Sequence, residues 1–279
     1  MSAYQFETCK CDLCGSDQYH VMHDKKYDSP PITMIRDDGI PVHTIDVMCK
    51  ECGLVYKNPR MTRESLDKFY TEQYRETYVS KETSEEFHAN IAYRLLDGMS
   101  GSLLDIGCSK GKLLELWQGE SAGVEPSQLR PPNAYASIKD VPKQYDIVTM
   151  LNALEHMYSP TETLQEIYKV CGGHLLLSVP DLFNTNIKIG VSPYLSCAHL
   201  YTFYLNTIEA LLVKCGFTPQ KIIYANEEIG NKLYILSQKD IPREPVFFKP
   251  DVRIVTAFLN AWDTLMSIKI YLSLQKGGQ

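Results

Sequence analysis

The chain has 279 residues, 44% hydrophobic and 22% charged, with a formal net charge of −6; this is ordinary globular composition, with room for one full α/β domain and a smaller module. The acidic balance argues against a broad nucleic-acid-binding face, and the longest apolar stretch is broken by Asp263 and Lys269, too polar for a membrane span. The start, Met1-Ser2-Ala3-Tyr4-Gln5, lacks the basic-then-apolar pattern of an export signal, so nine cysteines point to a reducing, cytoplasmic setting and to metal before disulfides.

Residues 1–75 read as a metal module. Cys11-Asp12-Leu13-Cys14-Gly15 and Cys49-Lys50-Glu51-Cys52-Gly53 are two C-x-x-C-G turns. Each offers two thiolates on one tight turn, with glycine relieving strain behind the second cysteine. Cys11, Cys14, Cys49 and Cys52 supply the four soft ligands of a closed tetrahedral site, which makes it structural. Zinc (Zn2+) is favoured, although rubredoxin-type iron uses similar turns. Cys9 is the odd thiol and lacks the spacing. Between the turns, His20-Val21-Met22 and Thr44-Ile45-Asp46-Val47-Met48 read as strands, separated by turn-rich Asp28-Ser29-Pro30-Pro31 and Asp37-Asp38-Gly39. A short helix follows, capped by Thr62, with Ser65 where a full capping box needs an acid or amide.

Residues 76–240 read as the α/β domain, entered by a helix. Ser84–Met99 carries Phe87, Ile91, Leu95 and Leu96 at helical spacing. Strands are expected at Ser102–Asp105, Ala122–Glu125, Asp146–Leu151, Gly173–Val179, Thr218–Tyr224 and Lys232–Gln238. Helices are expected at Lys110–Gln118, Thr161–Cys171 and Asn206–Cys215. Such alternation implies a parallel sheet with helices on both faces. Residues 241–279 read as a helical extension, with Val252, Val255, Leu259, Trp262, Met266 and Ile270 on one face. Its own chain is the favoured partner of that face; a second copy, in a homodimer, is the alternative.

The chemistry begins at Leu103-Leu104-Asp105-Ile106-Gly107-Cys108-Ser109-Lys110-Gly111. An apolar strand ends in an acid, and a glycine-containing turn leads into a helix. About twenty residues past Asp105, Ala122-Gly123-Val124 ends in Glu125-Pro126, the layout of a nucleoside-binding βαβ unit. Gly107 and Gly111 let the backbone approach a ligand, and Glu125 can accept from both hydroxyls of a ribose. A dinucleotide fingerprint would put glycine at Ser109. An acid at the strand end suits an ammonium group, not a pyrophosphate. The Ser109 turn still cradles a ligand if its backbone is not forced to positive φ. Pro131-Pro132 forbid the helix expected after Glu125, so a loop walls the pocket there.

These residues resemble the first motif of class I S-adenosylmethionine-dependent methyltransferases. Gly123-Val124-Glu125-Pro126-Ser127 resembles their ribose-binding motif, and Tyr145 to His156 resembles their fourth-strand motif. The resemblance covers roughly Ser84 to Lys239. It implies a Rossmann-like, seven-stranded, mostly parallel sheet with the final strand antiparallel, beside a small zinc-ribbon-like module. It also implies S-adenosyl-L-methionine as cofactor. Asp105, Gly107, Cys108, Ser109 and Gly111 would form the first wall of its pocket, with Glu125 and Pro126 at the ribose. Ser137 and Ile138 align with the pair that borders the adenine, and Leu151 and Asn152 close the fourth strand.

Methyl transfer from a sulfonium is an in-line displacement, and the acceptor's proton needs a destination. His156 follows the fourth strand and His199 lies between the fifth strand and the next helix, so these two are the candidate catalytic histidines. Tyr201 and Tyr204 are the alternatives. His174 starts a strand, and His20, His23, His43 and His88 read as surface or packing residues, with His23 a spare metal ligand. Glu155-His156 resembles the metal-binding pair of some quinone O-methyltransferases, but Asn152 stands where those have a second glutamate. The run Cys49 to Arg60, followed by Phe69-Tyr70, resembles the zinc module of bacterial methyltransferases of surface-polysaccharide and deoxysugar biosynthesis. That resemblance implies a small sugar-containing acceptor, a sugar nucleotide or glycan precursor, and no nucleic-acid or membrane partner. O-methylation is preferred, because sugar C-methyltransferases usually carry a further C-terminal domain. Sugar C-methylation, rRNA base methylation and a catalytically silent cofactor-binding module are the other readings.

Overall fold

The computed structural model describes residues 4–27, 42–70, 82–127, 130–183, 199–225, 232–259 and 261. The N-terminal part forms β1 (Phe6–Glu7), β2 (Tyr19–Tyr27), β3 (Val42–Cys49), β4 (Val55–Lys57), β5 (Arg60–Met61) and α1 (Arg63–Lys68). Then come α2 (Glu82–Leu95), β6 (Leu103–Ile106), α3 (Lys112–Leu116), β7 (Ser121–Val124), β8 (Ala134–Tyr135) and β9 (Tyr145–Leu151). The domain closes with α4 (Pro160–Val170), β10 (Cys171–Pro180), β11 (Tyr201–Thr202), α5 (Leu205–Lys214), β12 (Phe217–Ala225) and β13 (Lys232–Lys239). A last helix, α6, covers 252–259.

Seven strands make one sheet in the order β12-β13-β10-β9-β6-β7-β8. From β8 across to β10 the neighbours are parallel, and β13 is antiparallel to both β10 and β12. This is the expected α/β architecture, with the last strand reversed. The central strands are buried on both faces, which explains their apolar runs: Leu103, Leu104, Val148 and Met150 are 0% exposed. The chain winds outward from β6 to β8, then returns to β9 and β10. The strand order therefore reverses between β6 and β9, and open α/β sheets bind ligands beyond the carboxyl ends at such a reversal. The short edge strand β8 escaped sequence reading, since two residues show no periodicity. Pro132 and Asn133 form a turn there in place of a helix.

The N-terminal strands form a second sheet, β11-β4-β3-β2. Its β11 comes from the α/β part, with Tyr201 opposite Tyr56 and Thr202 opposite Val55. Cys11, Leu13, Leu54 and Tyr56 share one buried core with Ile167, Leu211 and Phe217. The described part of α6 buries Val255 and Leu259 against Met22, Met48, Val55, Leu182 and Tyr204 of its own chain. Trp262, Met266 and Ile270 lie outside the described residues. Among the described residues, no helix is long and apolar enough to cross a membrane.

Candidate cofactor and acceptor site

The turn after β6 is shaped by close packing. Gly107 has φ +76°, and a Cβ there would sit 3.2 Å from the Ala153 Cβ, so the cofactor-side turn rests on the segment that leads to His156. Gly111, at φ +80°, opens α3, and its missing side chain leaves room for the Pro131 ring. The loop after β7 thus walls the turn, as the tandem prolines imply.

Asp105 is 5% exposed. Its register partner on β9 is Thr149, whose hydroxyl donates to Asp105 Oδ1 at 2.6 Å. Burial pushes the Asp105 carboxyl up to about 7, the Thr149 hydrogen bond opposes this, and the nearby Glu125 carboxylate adds to it. Sequence reasoning missed Thr149, whose only local mark is a hydroxyl within the apolar end of β9.

Ser109 departs from the expectation, because its backbone is left-handed at φ +48°. That conformation costs a non-glycine residue about 1–2 kcal/mol. Among the described residues, two hydrogen bonds hold it. The Ser109 N–H donates to Glu125 Oε2 at 3.1 Å, and its hydroxyl donates to Glu85 Oε1 of α2 at 2.7 Å. Glu125 also accepts from the Ser127 N–H at 3.1 Å. Backbone donors on both sides therefore fix the carboxylate at the strand tip. Sequence reasoning missed Glu85, since nothing local shows that α2 reaches the turn.

The remaining cofactor candidates are spread around this centre. Cys108 is buried in the core with its sulfur against Gly123, where any side chain would collide. Pro126 is exposed. Ser137 caps the 3-10 turn Ile138–Asp140 by accepting from the Lys139 N–H, and Ile138 packs half-buried on the core. Leu151 ends β9, and Asn152 follows at φ +50°. The Asn152 N–H donates to the Ser178 carbonyl and hydroxyl, while its Oδ1 is buried without a hydrogen-bond partner.

His156 closes the 3-10 turn Leu154–His156. His199 arrives from the segment before β11, and the two rings meet edge to face at 4.8 Å between centroids. Tyr70 lies edge-on to His156 at 6.1 Å. Glu155 is 2% exposed, with Oε1 3.9 Å from His156 Nε2 and Oε2 buried without a hydrogen-bond partner. The structure thus brings together both sequence candidates, keeps Glu155 beside them and adds Tyr70.

The tyrosine alternatives have other duties. Tyr201 accepts from Arg60 at 2.5 Å and donates to the Tyr158 carbonyl at 3.0 Å. Tyr204 is 2% exposed and donates to the Gly53 carbonyl. Burial holds both phenols above their ordinary value. His174 lies within β10, and His88 pairs with the Tyr234 hydroxyl at 3.0 Å, its ring pushed down to about 4 by burial. His20 and His43 are exposed.

The four cysteines of the two turns converge. Cys11 and Cys52 sulfurs are 3.4 Å apart, as are those of Cys14 and Cys49, and all four lie within 4.8 Å. A tetrahedral zinc with bonds of about 2.3 Å needs sulfurs about 3.8 Å apart, so the donor set fits. Gly15 and Gly53 are left-handed at φ +76° and +80°. Cys9 stands outside the cluster, and His23 faces Asp46 at 3.5 Å instead.

An acid at the first strand tip, a tight glycine turn and a braced glutamate at the second tip define a nucleoside-binding, doubly wound domain. A family model described as a methyltransferase domain matches residues 72–222, over half of the chain. The chain belongs to this family and is a class I S-adenosylmethionine-dependent methyltransferase. Similar solved structures include 1,6-didemethyltoxoflavin-N1-methyltransferase from Burkholderia thailandensis, at 14% identity, TM-score 0.51, covering 69% of this chain and 98% of that one. Magnesium protoporphyrin IX methyltransferase from Synechocystis is similar at 15% identity, TM-score 0.46, covering 57% and 84%. At these identities the likeness is one of fold. Comparison with curated proteins gives no match. The residues present fit the cofactor: carboxylates stand at two strand tips, the turn between them is bare at Gly107, and the Asn152 oxygen awaits a donor.

Proposed function

We propose that the chain transfers a methyl group to a hydroxyl oxygen of a small sugar-containing acceptor, a sugar nucleotide or glycan precursor, and that its four cysteines hold a structural zinc ion. The observation that carries the reading is the meeting of His199 with His156, ring centroids 4.8 Å apart, where the segment leading to His156 packs against the Gly107 turn. When bound, S-adenosylmethionine supplies an electrophilic methyl on a sulfonium. Asp105 is placed to hold an ammonium group, and Glu125 to accept from two ribose hydroxyls. His156 and His199 then face the acceptor, where an imidazole can take a hydroxyl proton. Tyr70 flanks His156 from the N-terminal side.

The resemblance of the cysteine turns to modules of sugar-modifying enzymes supports the acceptor class. The net charge of −6 weighs against RNA. The test is a mass-shift screen of sugar nucleotides with S-adenosylmethionine, followed by NMR of any product. A methoxy signal is expected. A carbon-bound methyl would move the reading to C-methylation. Cofactor binding without turnover on any sugar nucleotide would overturn the acceptor class.

A further inference from the structure

We propose that Glu155, His156 and His199 together hold a divalent transition-metal ion, whose open positions take a vicinal pair of acceptor oxygens. The acceptor half of this rests on the methyl-transfer reading above; the ion half rests on geometry. One ligand atom from each residue lies within 4.8 Å of the others. An ion with bonds of about 2.1 Å needs donors about 3.0–3.4 Å apart, so the three side chains would draw together on binding it. The two histidines arrive from different segments, one after β9 and one before β11, so no local helical spacing explains their meeting.

The second observation is the buried acid. The Glu155 side chain is 2% exposed, and its Oε2 is buried with no hydrogen-bond partner. A carboxylate oxygen left so is costly, and a cation between it and two imidazoles removes the cost. The pair of nitrogens selects zinc, cobalt, iron or manganese over the all-oxygen preference of magnesium and calcium. The cysteine site is closed by four ligands, whereas three protein donors leave room for substrate.

Three protein donors leave one position in a four-coordinate ion and two when it expands to five, and the expanded form suits a chelating acceptor, such as a vicinal diol or a hydroxyl beside a carbonyl. The ion lowers the pKa of the bound hydroxyl, which gives its proton to solvent. The oxygen–methyl bond then forms as the methyl–sulfur bond breaks, and that bonding pair stays on sulfur. The products are a methyl ether, a neutral thioether and one proton. On this account the imidazoles act on the hydroxyl through the ion.

The test uses the full chain with its cysteine site filled by zinc, titrated with Co2+ and read by visible absorption and metal analysis. One equivalent of cobalt is expected, with ligand-field bands and without the thiolate charge-transfer band of a cysteine site. Glu155→Gln and His199→Ala should each weaken cobalt binding by about a hundredfold or more, while zinc content and S-adenosylhomocysteine affinity hold and so report folding. Absence of the cobalt bands, or their survival in both variants, overturns the ion. If turnover on a hydroxyl acceptor persists in that case, the methyl-transfer reading stands without it. If cobalt binds as expected but only acceptors with a single isolated hydroxyl are methylated, the chelation half is overturned.

Discussion

The Asp12 carboxylate accepts from the Thr161 backbone N–H at 2.8 Å, so a residue inside the first cysteine turn caps a helix of the methyltransferase domain. Its other oxygen accepts from the Ser159 hydroxyl at 2.6 Å, and its carbonyl accepts from the Thr161 hydroxyl. The neighbouring Leu13 carbonyl accepts from Lys214 at the end of α5. The first cysteine turn is thereby tied to the helices behind the sheet. Asp12→Ala should cost about 1 kcal/mol, the usual worth of a cap, and lower the melting temperature by about 2–4 °C. In protein stripped of metal by a chelator the same substitution should change the melting temperature little, because the turn no longer holds its place. An undiminished difference after stripping would show that the two are uncoupled.

The proposed metal is open to direct measurement. Protein purified without added metal should contain zinc, and Cys49→Ser should lose one equivalent and melt lower, because ligand binding and folding are linked. Elemental analysis that finds neither zinc nor iron in the unsubstituted chain would mean that the two cysteine turns are misread.

Much of this was legible in the sequence, for identifiable reasons. The core strands β6, β9, β10 and β13 are apolar runs bounded by turns, and each falls within a residue or two of its expected span. The cysteine cluster is legible because C-x-x-C fixes two sulfurs on one turn. What stayed hidden was long-range. Glu85 reaches Ser109 across 24 residues, and β11 joins β4 across about 145. Neither leaves a periodic trace. The left-handed Ser109 is a third case. The turn demands the conformation, and two carboxylates elsewhere in the fold hold it for a residue that disfavours it.

Glu125 braces the Ser109 turn, and on the proposed reading it also faces a ribose. Glu125→Ala should weaken S-adenosylhomocysteine binding by about 1–3 kcal/mol, the cost of leaving buried polar groups unpaired. Titration calorimetry reads this directly. Unchanged affinity would remove Glu125 from the pocket.

Asp105 should make cofactor binding depend on pH. Its carboxyl is raised from 3.8 to about 7 in the folded chain by burial, with the Glu125 carboxylate adding and the Thr149 hydroxyl opposing. Between those values the folded chain holds a proton that the unfolded chain has released. This group's contribution to stability is therefore full below the lower value and is lost as pH rises through about 7. Binding an ammonium needs the ionised form. S-adenosylhomocysteine affinity should then fall as pH drops below about 7, approaching about tenfold per pH unit. Asp105→Asn should bind more weakly with a flat profile. A wild-type profile that is already flat from pH 6 to 8 would place the ammonium elsewhere.

The histidines carry the last prediction. The two rings meet, His156 on the segment that packs against the Gly107 turn and His199 on the one before β11, and the tyrosine alternatives are committed to Arg60, Tyr158 and Gly53. His156→Ala or His199→Ala should lower turnover by about a hundredfold or more, within the usual worth of acid–base assistance, while S-adenosylhomocysteine affinity changes little. Positioning alone supplies part of the rate, so one of the two losses can be smaller. The measurement is single-turnover methylation of an identified acceptor across pH. The double variant decides the matter. Near-full turnover there would mean that neither imidazole serves the acceptor's proton, directly or through an ion, and that alignment of donor and acceptor is the whole of the catalysis.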